Sequence, residues 1–305
     1  MRHNVTAAPT LLVTGGNGQV GFELRRSLVP LGRVIALDRS QCDYLCLDDL
    51  RRVVRSVCPD VIVNAAAYTD VDGAESDIET AYAVNGIAAG VLAEEASALG
   101  SLLVHYSTDY VFDGRKAEPY VETDPANPLS VYGKSKLAGE EAIAAAAPPA
   151  LVLRTSWIAG AHGNNFVKTI LQRSRESSNL SVVADQVGAP TTASLVADVT
   201  AQIISRFWLG GGRTSFPAGV YHLAAAGEVS WHGYSVELLR YAAALGVDMK
   251  INPARIEAVP ASTYPRIATR PENSCLDTHK LRQTFGLHLP DWQSGIHHLL
   301  EQILL

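Results

Sequence analysis

Cysteine is scarce in this 305-residue chain: Cys42, Cys46, Cys58 and Cys275 are the only four, and no two form a C-x-x-C pair. That argues against a disulfide framework and against a thiolate zinc site, and it fits a reducing compartment. Long apolar runs are missing too. None reaches the roughly 18–20 residues that a spanning helix needs, and "MRHNVTAAPT" at the N-terminus lacks the apolar core of a secretory signal. Basic residues are in the minority, 25 Lys and Arg against 31 Asp and Glu for a net charge of −6, and no basic cluster is interleaved with aromatics. Nucleic acid and membrane are therefore excluded as partners, and a soluble cytoplasmic protein is expected. There is no internal repeat, no heptad run and no low-complexity tract beyond the alanine-rich "AIAAAAPPA".

What the chain does have is enough hydrophobic content, 47%, for one large α/β domain or a domain with a smaller companion. Short apolar runs, "LLVTG" (11–15), "VIALD" (34–38), "VIVNAAA" (61–67), "LLVHYS" (102–107) and "LVLRTS" (151–156), alternate with helical patterns such as "QVGFELRRSLVPLG". Continuous runs of this kind are the mark of parallel strands covered on both faces by crossover helices. The β-α repeat predicts a doubly wound parallel sheet of the Rossmann type over residues 1–155. After residue 155 the pattern turns irregular, and a smaller C-terminal α/β substrate lobe over 156–305 is expected. Strand-like pieces at "SVVAD" (181–185) and "GVYHLA" (219–224) suggest that segments near 185–225 return to the first domain.

Three constellations carry chemistry. In "LLVTGGNGQVGFEL", Gly15, Gly18 and Gly21 follow a strand and open a helix, and Gly16, Gly18 and Gly21 equally satisfy G-x-G-x-x-G. Glycine lets backbone amides approach a pyrophosphate whose charge the helix N-terminus stabilises. Asp38, ending the second strand, would accept from the adenosine ribose of NAD, whereas Arg39 beside it would pair with the 2′-phosphate of NADP, so cofactor choice stays open. In "VHYSTDYVFDG", Ser107 and Thr108 leave the fourth strand at its carboxyl end, where open α/β sheets bind ligands and where a hydroxyl can donate to a carbonyl. In "VYGKSKLAGEEA", Tyr132 and Lys136 lie one helical turn apart on one face, so phenol and ammonium share a small volume; Lys134 points elsewhere. Alone, such a pair is an ordinary surface contact. Together with the other two motifs, in this order on one sheet, it implies reduction of a carbonyl.

These motifs, with "VIVNAAAYTDVDGAE", "YAVN", "VLRTSWIAG", "NFV", "DQVGAPT" and "RPENSCLD", make the chain similar to the extended short-chain dehydrogenase/reductase family from about Leu11 to the C-terminus. "STDYVFDG" and "RPENS" point to the branch that reduces the C4 keto group of a dTDP-linked deoxysugar with NADPH or NADH. The resemblance implies Tyr132 as proton donor, Lys136 lowering its pKa and holding the nicotinamide ribose, and Thr108 binding the carbonyl. Gly15, Gly18, Gln19, Val20 and Gly21 would line the pyrophosphate, Asp38 the adenosine ribose, and Ala66, Ala67 and Tyr68 the path of the cofactor. Asn85 would support the site. Thr69, Val71, Asp72, Thr108, Asp109, Trp157, Arg270 and Asn273 would meet the nucleotide sugar. Some relatives hold Mg²⁺ between two subunits. Glu23 matches one of those carboxylates, but Ser194 stands where another is carried, so that metal site is doubtful while a homodimer is compatible. The alternatives are a related nucleotide-sugar epimerase/reductase, for which no second acid–base pair stands out, and a catalytically silent regulatory subunit of the same fold.

Overall fold

The computed structural model describes residues 8–305; residues 1–7, most of the N-terminal stretch read above, lie outside them. The five apolar runs form β1 (Thr10–Thr14), β2 (Arg33–Leu37), β3 (Val61–Asn64), β4 (Leu102–Thr108) and β5 (Ala150–Thr155). With Gly219–His222 they make a six-stranded sheet in the order 219–222, β5, β4, β3, β1, β2, parallel throughout. The chain steps from β1 outward to β2, then crosses back to β3, β4 and β5 on the other side. The switch point, where such sheets bind ligands, therefore lies between the carboxyl ends of β1 and β3.

Alternate strand residues feed two cores. Leu11, Val13, Val63 and Val104 pack with Leu24 of α1 (Gln19–Ser27) on one face. Leu12, Ile62 and Leu103 pack on the other with Leu50 and Val54 of α2 (Leu47–Val57) and with Leu92 and Ile143. On that face α3 (Ile78–Tyr82) runs through a π turn at Ala83–Ile87 into α4 (Ala88–Leu99), against which lies α5 (Val131–Ala146). Each such fully buried Leu or Val contributes about 1.5–3 kcal/mol. The start of α5 is fixed by Pro128, whose ring discourages helix before it, and by Ser130, whose Oγ accepts from Gly133 N at 3.2 Å.

A third core joins the helices Phe166–Glu176, Trp231–Ala244 and Trp292–Leu304 through Val167, Ile170, Leu238, Leu239, Ile296 and Leu300. "SVVAD" is a strand, but it pairs with Glu257–Val259 outside the main sheet, whereas "GVYHLA" supplies the sixth main strand. In "DQVGAPTTASLVAD" the strand pieces 187–188 and 191–192 also pair outside the main sheet. The following helix, Ala193–Ile203, packs on α1 because Val196, Val199 and Ile203 recur at helical spacing.

Candidate active site

The glycine loop is built as its spacing requires. Gly15 has φ +68°, and a Cβ there would sit 2.6 Å from Ala66 N. A Cβ on Gly21 would collide with the Gly15 carbonyl, which instead accepts from Gly18 N at 2.9 Å. The N-terminus of α1 carries no side-chain cap, leaving its amides free for an anion. Asp38 accepts from Asn17 Nδ2 at 2.9 Å and from Ser40 Oγ at 2.6 Å, and Ser40 holds the carboxyl below its ordinary range. Asp38 and exposed Arg39 share a hollow with Ala66, Ala67 and Tyr68. Asn85 pins that last segment: its Oδ1 accepts from Tyr68 N at 2.9 Å, while Nδ2 donates to Tyr68 O and Ser135 Oγ, both at 3.0 Å. The glycine-rich loop, the uncapped helix end and the carboxylate of Asp38 after β2 together fit a dinucleotide.

A cleft of about 650 Å³ continues from the loop and brings together Gln19, Val20, Thr69, Val71, Thr108, Asp109, Tyr132, Lys136 and Trp157. Thr108, extended at the end of β4, lines the cleft with Tyr132, accepts from Tyr110 N at 3.2 Å and donates to Asp109 Oδ1 at 2.8 Å. Burial pushes Tyr132 up to about 12, only partly offset by Thr108, and burial pulls Lys136 down to about 8 against the field of Glu140. The expected lowering of the phenol by Lys136 is absent from this arrangement. The Lys136 Nζ turns instead to Tyr106 O, 2.6 Å away, and to His105 Nε2 at 3.3 Å, because a buried ammonium takes the nearest acceptors. A phenol held high is protonated at neutral pH, which suits a proton donor. Asp109 is pushed up to about 6 by burial, against the hydrogen bond from Thr108.

The family described as RmlD substrate binding domain matches residues 9–305. The chain belongs to this family. It is 46% identical to the dTDP-4-dehydrorhamnose reductase of Burkholderia thailandensis over 286 residues, 94% of this chain and 96% of that one. It is 44% identical to the same enzyme of Escherichia coli over 298 residues, covering 96% and 97%. The crystal structure of dTDP-4-dehydrorhamnose reductase from Bacillus anthracis in complex with NADP matches with a TM-score of 0.86 at 32% identity, covering 96% of this chain and 99% of that one.

Other residues expected at the site are engaged by protein groups. Arg270 and Asp72 form a two-pronged ion pair at 3.0 and 2.8 Å, which holds Asp72 down to about 2. Asn273 spends its amide on main chain, donating to Lys116 O at 2.8 Å and accepting from Cys275 N at 2.8 Å. Trp157 adopts φ +47° and stacks on Trp231 at 3.5 Å, with Gly188 giving the indole room. Glu23 pairs with Arg26 at 3.3 Å, and Ser194 Oγ donates to Thr192 Oγ1 at 3.1 Å. Sequence reasoning missed Trp231, Tyr234 and Phe166, which line the cleft from the second lobe, and the buried pair Glu140–Arg154 beside Lys136. Only the aromatic spacing in "WHGY" could have drawn attention to the first two.

Proposed function

We propose that this chain reduces the C4 carbonyl of dTDP-4-dehydro-L-rhamnose to give dTDP-L-rhamnose, the last step in making that nucleotide sugar. The observation that carries the reading is one cleft that joins the glycine loop to Thr108, Tyr132 and Lys136, in a chain that matches reductases of this name over nearly its whole length. NADPH or NADH, held by Gly15, Gly18, Gly21 and Asp38, supplies the hydride when bound. Thr108 turns its single hydroxyl proton from Asp109 Oδ1 to the carbonyl oxygen and fixes its angle, so that negative charge growing on that oxygen meets an aimed donor. Tyr132 gives its phenolic proton to the oxygen, completing the alcohol. Lys136 then faces a phenolate, whose charge its own stabilises until a solvent proton restores the phenol. Asp109 accepts from the Thr108 hydroxyl until the carbonyl takes its place, and Trp157 offers a flat face to a sugar ring or base.

The reading extends to action in the cytoplasm and to a homodimer, which sedimentation at twice the chain mass checks. Turnover of dTDP-4-dehydro-L-rhamnose with NADPH and with NADH, followed by the loss of reduced-nicotinamide absorbance and identification of the product, tests the whole reading. Consumption of either cofactor with dTDP-L-rhamnose as product is expected. No consumption with either, or epimerisation without reduction, overturns it.

A further inference from the structure

Lys136 takes part in the reaction proposed above, but the polar row beneath it does not. Thr14, Asn64 and His105 stand in register on three adjacent parallel strands, Thr14 opposite Asn64 and Asn64 opposite His105, and each is about 1% exposed. The Tyr44 hydroxyl closes one end, 2.6 Å from Thr14 Oγ1 and 2.8 Å from Asn64 Oδ1, with Thr14 Oγ1 itself 3.0 Å from that oxygen. At the other end Asn64 Nδ2 is 2.9 Å from His105 Nδ1, and His105 Nε2 is 3.3 Å from Lys136 Nζ. A polar row through the middle of a sheet is costly unless its members satisfy one another, so their proton positions are constrained.

Counting protons along the row gives two arrangements. With the Tyr44 hydroxyl donating to Thr14 Oγ1 and the Thr14 hydroxyl to Asn64 Oδ1, the Asn64 Nδ2 donates to His105, so Nδ1 is bare and the ring proton is on Nε2. Nε2–H then points at Nζ, and only an uncharged amine has the lone pair to receive it. An ammonium at Lys136 demands the reverse: Nε2 bare, Nδ1–H, and the Asn64 amide turned so that Oδ1 accepts from the ring. The turned amide meets hydroxyls, which accept as well as donate. We propose that His105 is a positioning residue for Lys136, and that its tautomer, tied to the Asn64 amide, changes over when Lys136 gains or loses its proton.

Burial holds His105 well below its ordinary range, with Lys136 adding to the effect, so the ring stays neutral and only the tautomer responds. The other groups around the ammonium are fixed. Glu140, one turn along α5, is engaged by Arg154 of β5 and Ser107 of β4, and β4 also offers the Tyr106 carbonyl. Tyr132 and Asp109 face the cleft side. The row thus keeps Nζ in place in both protonation states, which holds Lys136 aimed while the phenol is recharged.

The consequence for turnover rests on the reductase reading, whereas the tautomer coupling does not. Full-length protein labelled with ¹⁵N-histidine is titrated from about pH 6 to about pH 10, a range spanning the Lys136 value. The chain has nine histidines, so the His105 signals are assigned by their loss in His105→Gln. Expected is an Nε2-bare ring at low pH that becomes Nδ1-bare as pH rises through about 8, and no changeover in Lys136→Met. A single tautomer across the range, or a changeover that persists in Lys136→Met, overturns the proposal. In turnover, His105→Leu moves the alkaline limb of kcat/KM down by about one pH unit, and His105→Gln, which restores an acceptor, moves it back. A uniform fall in rate with an unmoved limb assigns His105 a merely structural role. Loss of all reduction with the tautomer changeover intact overturns the reductase reading alone.

Discussion

Replacing Glu140 by Gln removes one charge and almost no volume at the most demanding ion pair of the sheet. Glu140 and Arg154 are 6% and 7% exposed; Arg154 donates to Oε1 at 2.9 Å and to Oε2 at 2.6 Å, and its guanidinium lies 5.1 Å from the Phe112 ring centre. Ser107 Oγ donates to the same carboxylate, so the side chain ties α5 to β4 and β5 at once. The Gln amide leaves a buried guanidinium without its counter-charge, which costs about 3–5 kcal/mol. With an unfolding entropy of about 2.1 cal/mol/K per residue, or roughly 0.64 kcal/mol/K for the whole chain, Tm falls by about 5–8 °C in scanning calorimetry. The double variant Glu140→Leu with Arg154→Met buries no charge and regains most of the loss. A Gln variant that loses less than about 1 kcal/mol, or a double variant no better than the single one, refutes the assignment of this pair as a buried charge held only by its partner.

Asp109 should make folding pH-dependent. Its folded value, about 6, lies above the 3.8 of a free carboxyl, so its contribution is fully present below about pH 4 and is lost as pH rises to about 6. Asp109→Asn removes this dependence. Urea unfolding at several pH values shows the variant gaining on the unmodified chain between those limits, and a constant difference contradicts the raised value. Thr108→Val keeps the shape but loses the donor, and kcat falls roughly 10²-fold with little change in KM; a fall under about twofold means that the hydroxyl does not bear on the carbonyl.

The sheet was legible because each main strand is a run of adjacent apolar residues, and a run buried on both faces needs no partner to be recognised. "SVVAD" met the same test, yet it pairs with Glu257–Val259, since three residues fix neither register nor sheet. The groups gathered in the cleft could be read because glycine spacing and a Tyr four residues before a Lys are local patterns. The row Thr14, Asn64 and His105 was not, because its members lie 50 and 41 residues apart and only strand register joins them. His105 reads in sequence as one polar letter inside "LLVHYS". Glu140 likewise reads as a solvated charge in "AGEEA"; burial against Arg154, 14 residues on, gives it another meaning. Trp157 carried no sign of its left-handed backbone, which is set by the stack on Trp231 across the second lobe.

The central claim is that Tyr132 protonates a carbonyl in this cleft as hydride reaches its carbon. The most direct measurement is single-turnover oxidation of bound NADPH by dTDP-4-dehydro-L-rhamnose, comparing the unmodified chain with Tyr132→Phe at equal cofactor occupancy. The account predicts rapid oxidation in the first and a loss of at least roughly 10²-fold in the second, the upper range of what a positioned acid supplies being about 10⁴-fold. Equal rates in the two proteins would contradict it.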